Sequence, residues 1–341
     1  MVLLSHAISG VFGIDVFVLR FPTDGVLAVF IFFTISGFAL AIGFVTRRDP
    51  EIIESQALRR YFRLTIPILA ISLIAYWIMA AGLMYAQPLA AVLPPGNWIT
   101  NNYRFSGSLR EAVSFGLHGV YFRWDFATTY NSSLWTMQFE LAGSFIIFAL
   151  LTLNFATRLR WSLYAAAAIL AARISPVYLC FVFGVCLAEL HASGVLDRWR
   201  TSYTSLAAAL GCFAAGVMFS TFGRQFYEDG TALTFVSALI VAGAVISDKF
   251  AALFETRLSK FLGSISFPLY LVQVPVLCSF GAYLRLQDFS LSIALPLVIA
   301  ASISAAVAFR PIDQFAVWIS RSFSSSVLQI LRRPLPAAGS L

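Results

Sequence analysis

"SSLWTMQFELAGSFIIFALL", residues 132–151, is long and apolar enough to cross a bilayer, yet it carries Glu140 inside it. A span needs about 20 apolar residues at a rise of about 1.5 Å each. A carboxylate near the bilayer centre costs roughly 2.5–3.5 kcal/mol on insertion scales, so such a group is usually paired, neutral or turned toward a cavity. Two readings of Glu140 are open on this stretch alone. It is either a helix-packing partner for an arginine or part of a reaction site.

The rest of the chain fixes the class. Of 341 residues, 60% are hydrophobic, 15% aromatic and only 11% charged, and the mean hydropathy is +0.84. Soluble domains carry about 25% charged residues, so the composition predicts an all-α, polytopic membrane helix bundle. Ten apolar segments follow one another, at about 1–19, 25–46, 64–86, 132–154, 160–173, 175–192, 203–222, 231–247, 264–284 and 290–309. They form one membrane domain, residues 1–320, followed by a cytoplasmic tail, 321–341, whose end "RRPLPAAGSL" reads as disordered.

The net charge of +7 does not point to nucleic acid, because the basic residues lie between apolar runs rather than along one stripe. With both termini inside, the connections facing the cytoplasm carry more than twice the Lys and Arg of the opposite side, as the positive-inside rule requires. Cys180, Cys186, Cys212 and Cys278 all fall in apolar runs without a CxxC pair, which argues for inert thiols rather than a disulfide framework or a metal site. The long connection at about 87–131 contains "GSLREAVSFGLHGVYF", an amphipathic helix that suits the membrane surface. Trp98, Tyr103, Phe105, Trp124 and Tyr130 punctuate this connection, and they fit an interfacial belt as well as a surface for stacking sugar rings.

Motifs of soluble enzymes, such as GxGxxG, GxSxG, HExxH and the Walker loop, do not occur. The polar groups at membrane depth are few. By helical rise Glu140 lies about 12 Å in from the outer boundary and His6 about 20 Å, both within a core roughly 30 Å thick. An imidazole beside a carboxylate makes a general base, and a lone membrane histidine also serves as a helix-packing hydrogen bonder. "ALRRYFRLTIP" (57–67) places Arg59, Arg60 and Arg63 at the cytoplasmic end of the third span, with Arg59 and Arg63 on one helical face. Guanidinium forks suit phosphate, and they also anchor a span beside anionic lipid. In "FFTISGFAL" (32–40), Ser36 and Gly37 permit close helix approach or a gap for a thin ligand.

"FFTISGF", "RRYFRLTIP", "SLWTMQFE" and "LGSISFPLYLVQVPVL" occur in the order found in the integral-membrane acyltransferase 3 family, which the chain resembles from residue 1 to about 320. That family includes O-acetyltransferases of bacterial surface polysaccharides and nodulation factors. The resemblance implies ten spans in the bacterial inner membrane, no bound cofactor, and acyl-CoA (acetyl-CoA above all) as the cytoplasmic donor. The acyl group would pass to a hydroxyl of an envelope or exported glycan.

Residue by residue, the resemblance makes His6 the first-span catalytic histidine and Arg59, Arg60 and Arg63 the donor-binding arginines. Ser36, Gly37 and Phe38 match its SGF motif, Trp135 and Glu140 its Trp-x-x-x-x-Glu pattern, and Tyr270 its "YL". Glu140 would then orient His6 or an acceptor hydroxyl. Gln273 stands where the family often has histidine, and Phe30 where an acidic residue is common. The arginine that the family carries about three turns before the histidine would precede Met1, so the first span reads as truncated and an earlier gene start is expected. The competing readings are a secondary transporter or flippase for a lipid-linked glycan, and a catalytically silent family member. No pair of Gly/Pro-broken spans in corresponding halves supports a transporter.

Overall fold

Each apolar run becomes helix in the computed structural model, and no strand occurs among the described residues, which are 1–14, 20–156, 159–228 and 230–331. The main helices are α1 (Val2–Val11), α2 (Gly25–Arg47), α3 (Pro50–Ala80), α4 (109–122) and α5 (Ser132–Phe155). They continue with α6 (Arg160–Ile174), α7 (Pro176–Ala192), α8 (Tyr203–Phe222), α9 (Thr231–Ile246), α10 (Arg257–Leu286) and α11 (Leu291–Leu331). Among the described residues six of these, α2, α3, α5, α8, α10 and α11, are long and apolar enough to cross a membrane.

Six of the expected ten crossings are thus met by length and composition. α6, α7 and α9 have 15, 17 and 16 residues, short of the roughly 20 that a perpendicular crossing takes. α6 stops where Ser175 turns extended, caps α7 through its side chain and hands the chain to Pro176 at the first helical position. Residues 15–19 of the expected first span, Arg158, and the expected disordered end 332–341 lie outside the described residues.

Two helices run longer than their apolar runs. α3 has 31 residues and starts at Pro50, so its three arginines sit inside a continuous helix rather than ahead of one. α11 has 41 residues, about 60 Å at helical rise, and continues past residue 320 as helix to Leu331. Its second half stays ordered because it packs along the first half of α3. Phe62 and Phe323 have ring centroids 4.6 Å apart, the Ser324 and Ser55 hydroxyls are 3.0 Å apart, and Arg63 pairs with Asp313 at 2.5 Å.

α2 packs most extensively on α7, and two glycines permit it. A Cβ on Gly37 would overlap the backbone of Phe181, and one on Gly184 would overlap the Thr34 carbonyl and the Phe38 backbone. Small residues at a crossing let helices in lipid approach to backbone contact, so Gly37 serves close approach. On the other side of the bundle, Ser108 and Glu111 close a capping box that starts α4. The Glu111 carboxyl is held below its ordinary range by the hydrogen bonds from Ser108. α4 packs on α3, with Gly116 against Leu69. Tyr103 and Tyr130 are buried under this connection and serve neither as belt nor as sugar platform. Burial pushes the Tyr130 phenol up to about 12, so it stays protonated and donates to the Ser108 carbonyl at 3.1 Å.

The α2–α7 contact makes a direct prediction. Gly184→Ala forces a methyl against backbone that cannot yield, and overpacking of this kind costs about 1–3 kcal/mol or more. Gly211→Ala, with no atom within 4 Å of the added methyl, gains helix propensity instead. Thermal unfolding in detergent should show a lower midpoint for Gly184→Ala and an unchanged or higher one for Gly211→Ala. Equal midpoints would remove the glycine contact from the account.

Candidate active site

The outer end of the site is fixed by Asn131. Its carbonyl oxygen accepts from the Ser133 backbone and hydroxyl at 3.1 and 2.7 Å, and its amide donates to the Leu271 carbonyl at 2.7 Å. The start of α5 is thereby tied to α10. The Tyr270 hydroxyl adds a second tie, donating to the Ser133 carbonyl and meeting the Thr136 hydroxyl at 2.7 Å. Trp135 is held edge-on against Phe139, 5.8 Å between centroids.

These ties leave a cavity of about 450 Å³ whose walls include His6, Trp98, Trp124, Ser132, Trp135 and Tyr270. The His6 ring lies 4.7 Å from Trp98, centroid to centroid. Three buried polar atoms of these walls have no hydrogen-bond partner among the described residues: His6 Nδ1, Ser132 Oγ and Trp124 Nε1. Buried polar atoms are rarely left unpaired, and a cluster of them suits a cavity that takes up water or a polar ligand. Trp98 and Trp124 thus belong to a cavity rather than to a belt.

The inner end is a cleft of about 250 Å³ between α2, α3 and α11, lined by Arg59, Arg60, Arg63 and Arg321 together with Gln56 and Ser320. Arg63 is paired with Asp313 and its guanidinium lies 5.2 Å from the Phe267 ring centre. Arg60 reaches inward. It pairs with Glu140, which also accepts a hydrogen bond from the Ser36 hydroxyl, while Arg60 Nε donates to the Ser144 hydroxyl at 2.6 Å. Glu140 is 2% exposed and its second carboxylate oxygen has no hydrogen-bond partner among the described residues.

One face of α2 runs from end to end of this arrangement. Gly25 and Val29 line the outer cavity, and Val29 and Phe32 line a smaller apolar cavity of about 130 Å³. Ser36 meets Glu140, and Ala39 with Leu40 line the arginine cleft. Steps of three and four residues keep these positions on one helical face. From Val29 to Leu40 the rise is about 16 Å.

The residues singled out in the sequence therefore fall into three groups. His6, Trp135 and Tyr270 meet at the outer cavity, Arg59, Arg60 and Arg63 at the inner cleft, and Ser36 with Glu140 between them. Glu140 is engaged by an arginine, and no hydrogen bond joins it to His6 among the described residues. Arg321 was legible only as an anchoring charge. Asp313 offered a signal, since an acid within a long apolar stretch calls for a cation, and Arg321 follows it by a little over two turns.

The Arg60–Glu140 pair yields a prediction. Removing one partner of a buried pair leaves an uncompensated charge, at a cost of about 3–5 kcal/mol, whereas replacing both with apolar groups is often neutral. Arg60→Met alone should lower the unfolding midpoint in detergent, and Arg60→Met with Glu140→Leu should recover most of it. Additive losses would mean that the two side chains act separately.

The family model described as "Acyltransferase domain" matches residues 1–310 of the chain. No curated protein and no solved structure gives a significant match. The matched stretch holds α1 to α10, the outer cavity, the α2 and α3 walls of the inner cleft and the first half of α11; the α11 wall of the cleft, with Ser320 and Arg321, lies beyond it. The chain belongs to the acyltransferase 3 family of integral-membrane acyltransferases.

Proposed function

We propose that the protein is a membrane O-acyltransferase that moves an acyl group, in the first instance acetyl, from cytoplasmic acyl-CoA to a hydroxyl of an envelope or exported glycan. The observation that carries this reading is the single face of α2 that connects an arginine-lined cleft to a cavity holding His6 and three unpartnered polar atoms. Guanidinium groups bind phosphate in planar, bidentate fashion. The tryptophan walls and unpaired polar atoms of the outer cavity suit a sugar, which offers both an apolar ring face and hydroxyls. With the far end of α11 on the cytoplasmic side, the arginine cleft faces the cytoplasmic donor and the outer cavity faces the acceptor. Only the thin pantetheine arm has to pass along α2.

In the reaction, His6 takes the proton of the acceptor hydroxyl, and the freed lone pair forms a bond to the thioester carbonyl carbon. The C–S bond then breaks, and the departing CoA thiolate takes the proton back from the imidazolium. General base catalysis by a positioned histidine contributes about 10²–10⁴-fold. Arg60 and Glu140 would keep the passage between the two ends neutral while leaving the guanidinium within reach of the donor's phosphates.

The test is transfer of label from radioactive acetyl-CoA to envelope glycan by the purified, reconstituted protein. His6→Ala should lower the rate by about 10²–10⁴-fold with CoA affinity unchanged. Glycan that stays unlabelled with the wild-type protein, or transfer that survives His6→Ala, would overturn the reading.

A further inference from the structure

The four arginines of the inner cleft are not equivalent. Arg63 is neutralised by Asp313 and Arg60 by Glu140. Arg59 and Arg321 have no acidic partner among the described residues, and their guanidinium groups repel one another across the cleft. The net positive charge of the cleft therefore resides in Arg59 and Arg321. A like-charge pair held by two packed helices is costly unless an anion sits between its members.

Depth and direction separate these arginines as well. α3 and α11 run side by side in opposite directions, with Arg63 level with Asp313 and Ser55 level with Ser324. Arg321 is three residues before Ser324, and Arg59 is four residues after Ser55. The two arginines without an acidic partner thus lie toward the far, cytoplasmic end of the cleft in the proposed orientation, Arg63 lies one turn of α3 deeper than Arg59, and Arg60, next to Arg59 in the chain, is turned inward by its pairing with Glu140.

Resting on the acyl-CoA reading above, we infer that Arg59 and Arg321 form a clamp for a phosphate monoester dianion, the 3′-phosphate of CoA. The covalent order of the donor gives the assignment. The diphosphate is joined directly to the pantetheine arm, so it lies at the floor, beside the arginines nearest the passage. The 3′-phosphate hangs from the ribose at the other end and stays at the mouth. A phosphate monoester carries a charge of about −1.5 to −2 at neutral pH, which matches two guanidinium groups. Arg321 is then a specificity residue contributed by the part of α11 beyond the matched family domain.

Titration calorimetry in nanodiscs of phosphatidylcholine alone tests this, with CoA and 3′-dephospho-CoA as probes. Wild-type protein should bind CoA at least about tenfold more tightly, equivalent to about 1.4 kcal/mol. Arg321→Gln should erase most of that difference by weakening CoA, and Arg59→Gln should act in the same direction. Arg321 is exposed and unpaired, so the substitution leaves the packing of α11 intact. Equal wild-type affinities, or a preference that persists in Arg321→Gln, would overturn the clamp and leave the acyl-CoA reading standing. Binding of neither compound would overturn both. A preference that appears only after anionic phosphatidylglycerol is added would assign the pair to lipid and overturn the clamp.

Discussion

The pairing of Arg60 with Glu140 is the constraint around which the site is organised. A carboxylate at this depth is costly unless it is neutralised, and here it draws an arginine of α3 and a serine of α2 onto α5. Three helices are thereby held at one level. The same arginine lines the inner cleft, so the group that stabilises the bundle also borders the place where the donor phosphates are proposed to lie. Glu140 therefore ties three helices together, and it does so through an arginine that also borders the cleft.

Around this pair the fold separates two chemistries. Long helices α3 and α11 extend the bundle on one side, where four guanidinium groups gather. On the other side, the connection between α3 and α5 folds over the bundle and supplies Trp98 and Trp124 to the cavity of His6. α2 joins the two because its spacing of small and apolar residues presents one continuous face, while Gly37 lets α7 seat directly against its backbone. The proposed function uses this division, with donor and acceptor admitted at opposite ends of one face of α2.

Much of this was legible in the sequence, for physical reasons. Apolar run length announces helices, and rare polar groups at membrane depth announce a site, which is how His6, Glu140 and the arginines of α3 stood out. What escaped depends on contacts between distant segments. Arg310, Pro311 and Asp313 look like the end of a span, yet α11 continues through them because Arg63 neutralises Asp313 and Phe62 packs on Phe323. Spacing placed His6 and Glu140 about 8 Å apart along the normal, but it carried no information on which side of its helix each faces. Loop aromatics were ambiguous for the same reason: Trp98 and Trp124 line the cavity while Tyr103 and Tyr130 are buried beneath the loop.

The central claim is that inner cleft and outer cavity are the two ends of one donor path along α2. A cryo-EM structure with a non-transferable acetyl-CoA analogue, its thioester sulfur replaced by a methylene group, tests it most directly. The account predicts nucleotide density between α3 and α11 beside Arg59 and Arg321, pantetheine density along Val29, Phe32 and Ser36, and the acyl end beside His6. Nucleotide bound elsewhere, or an acyl end that stops on the cytoplasmic side of the Arg60–Glu140 pair, would contradict it.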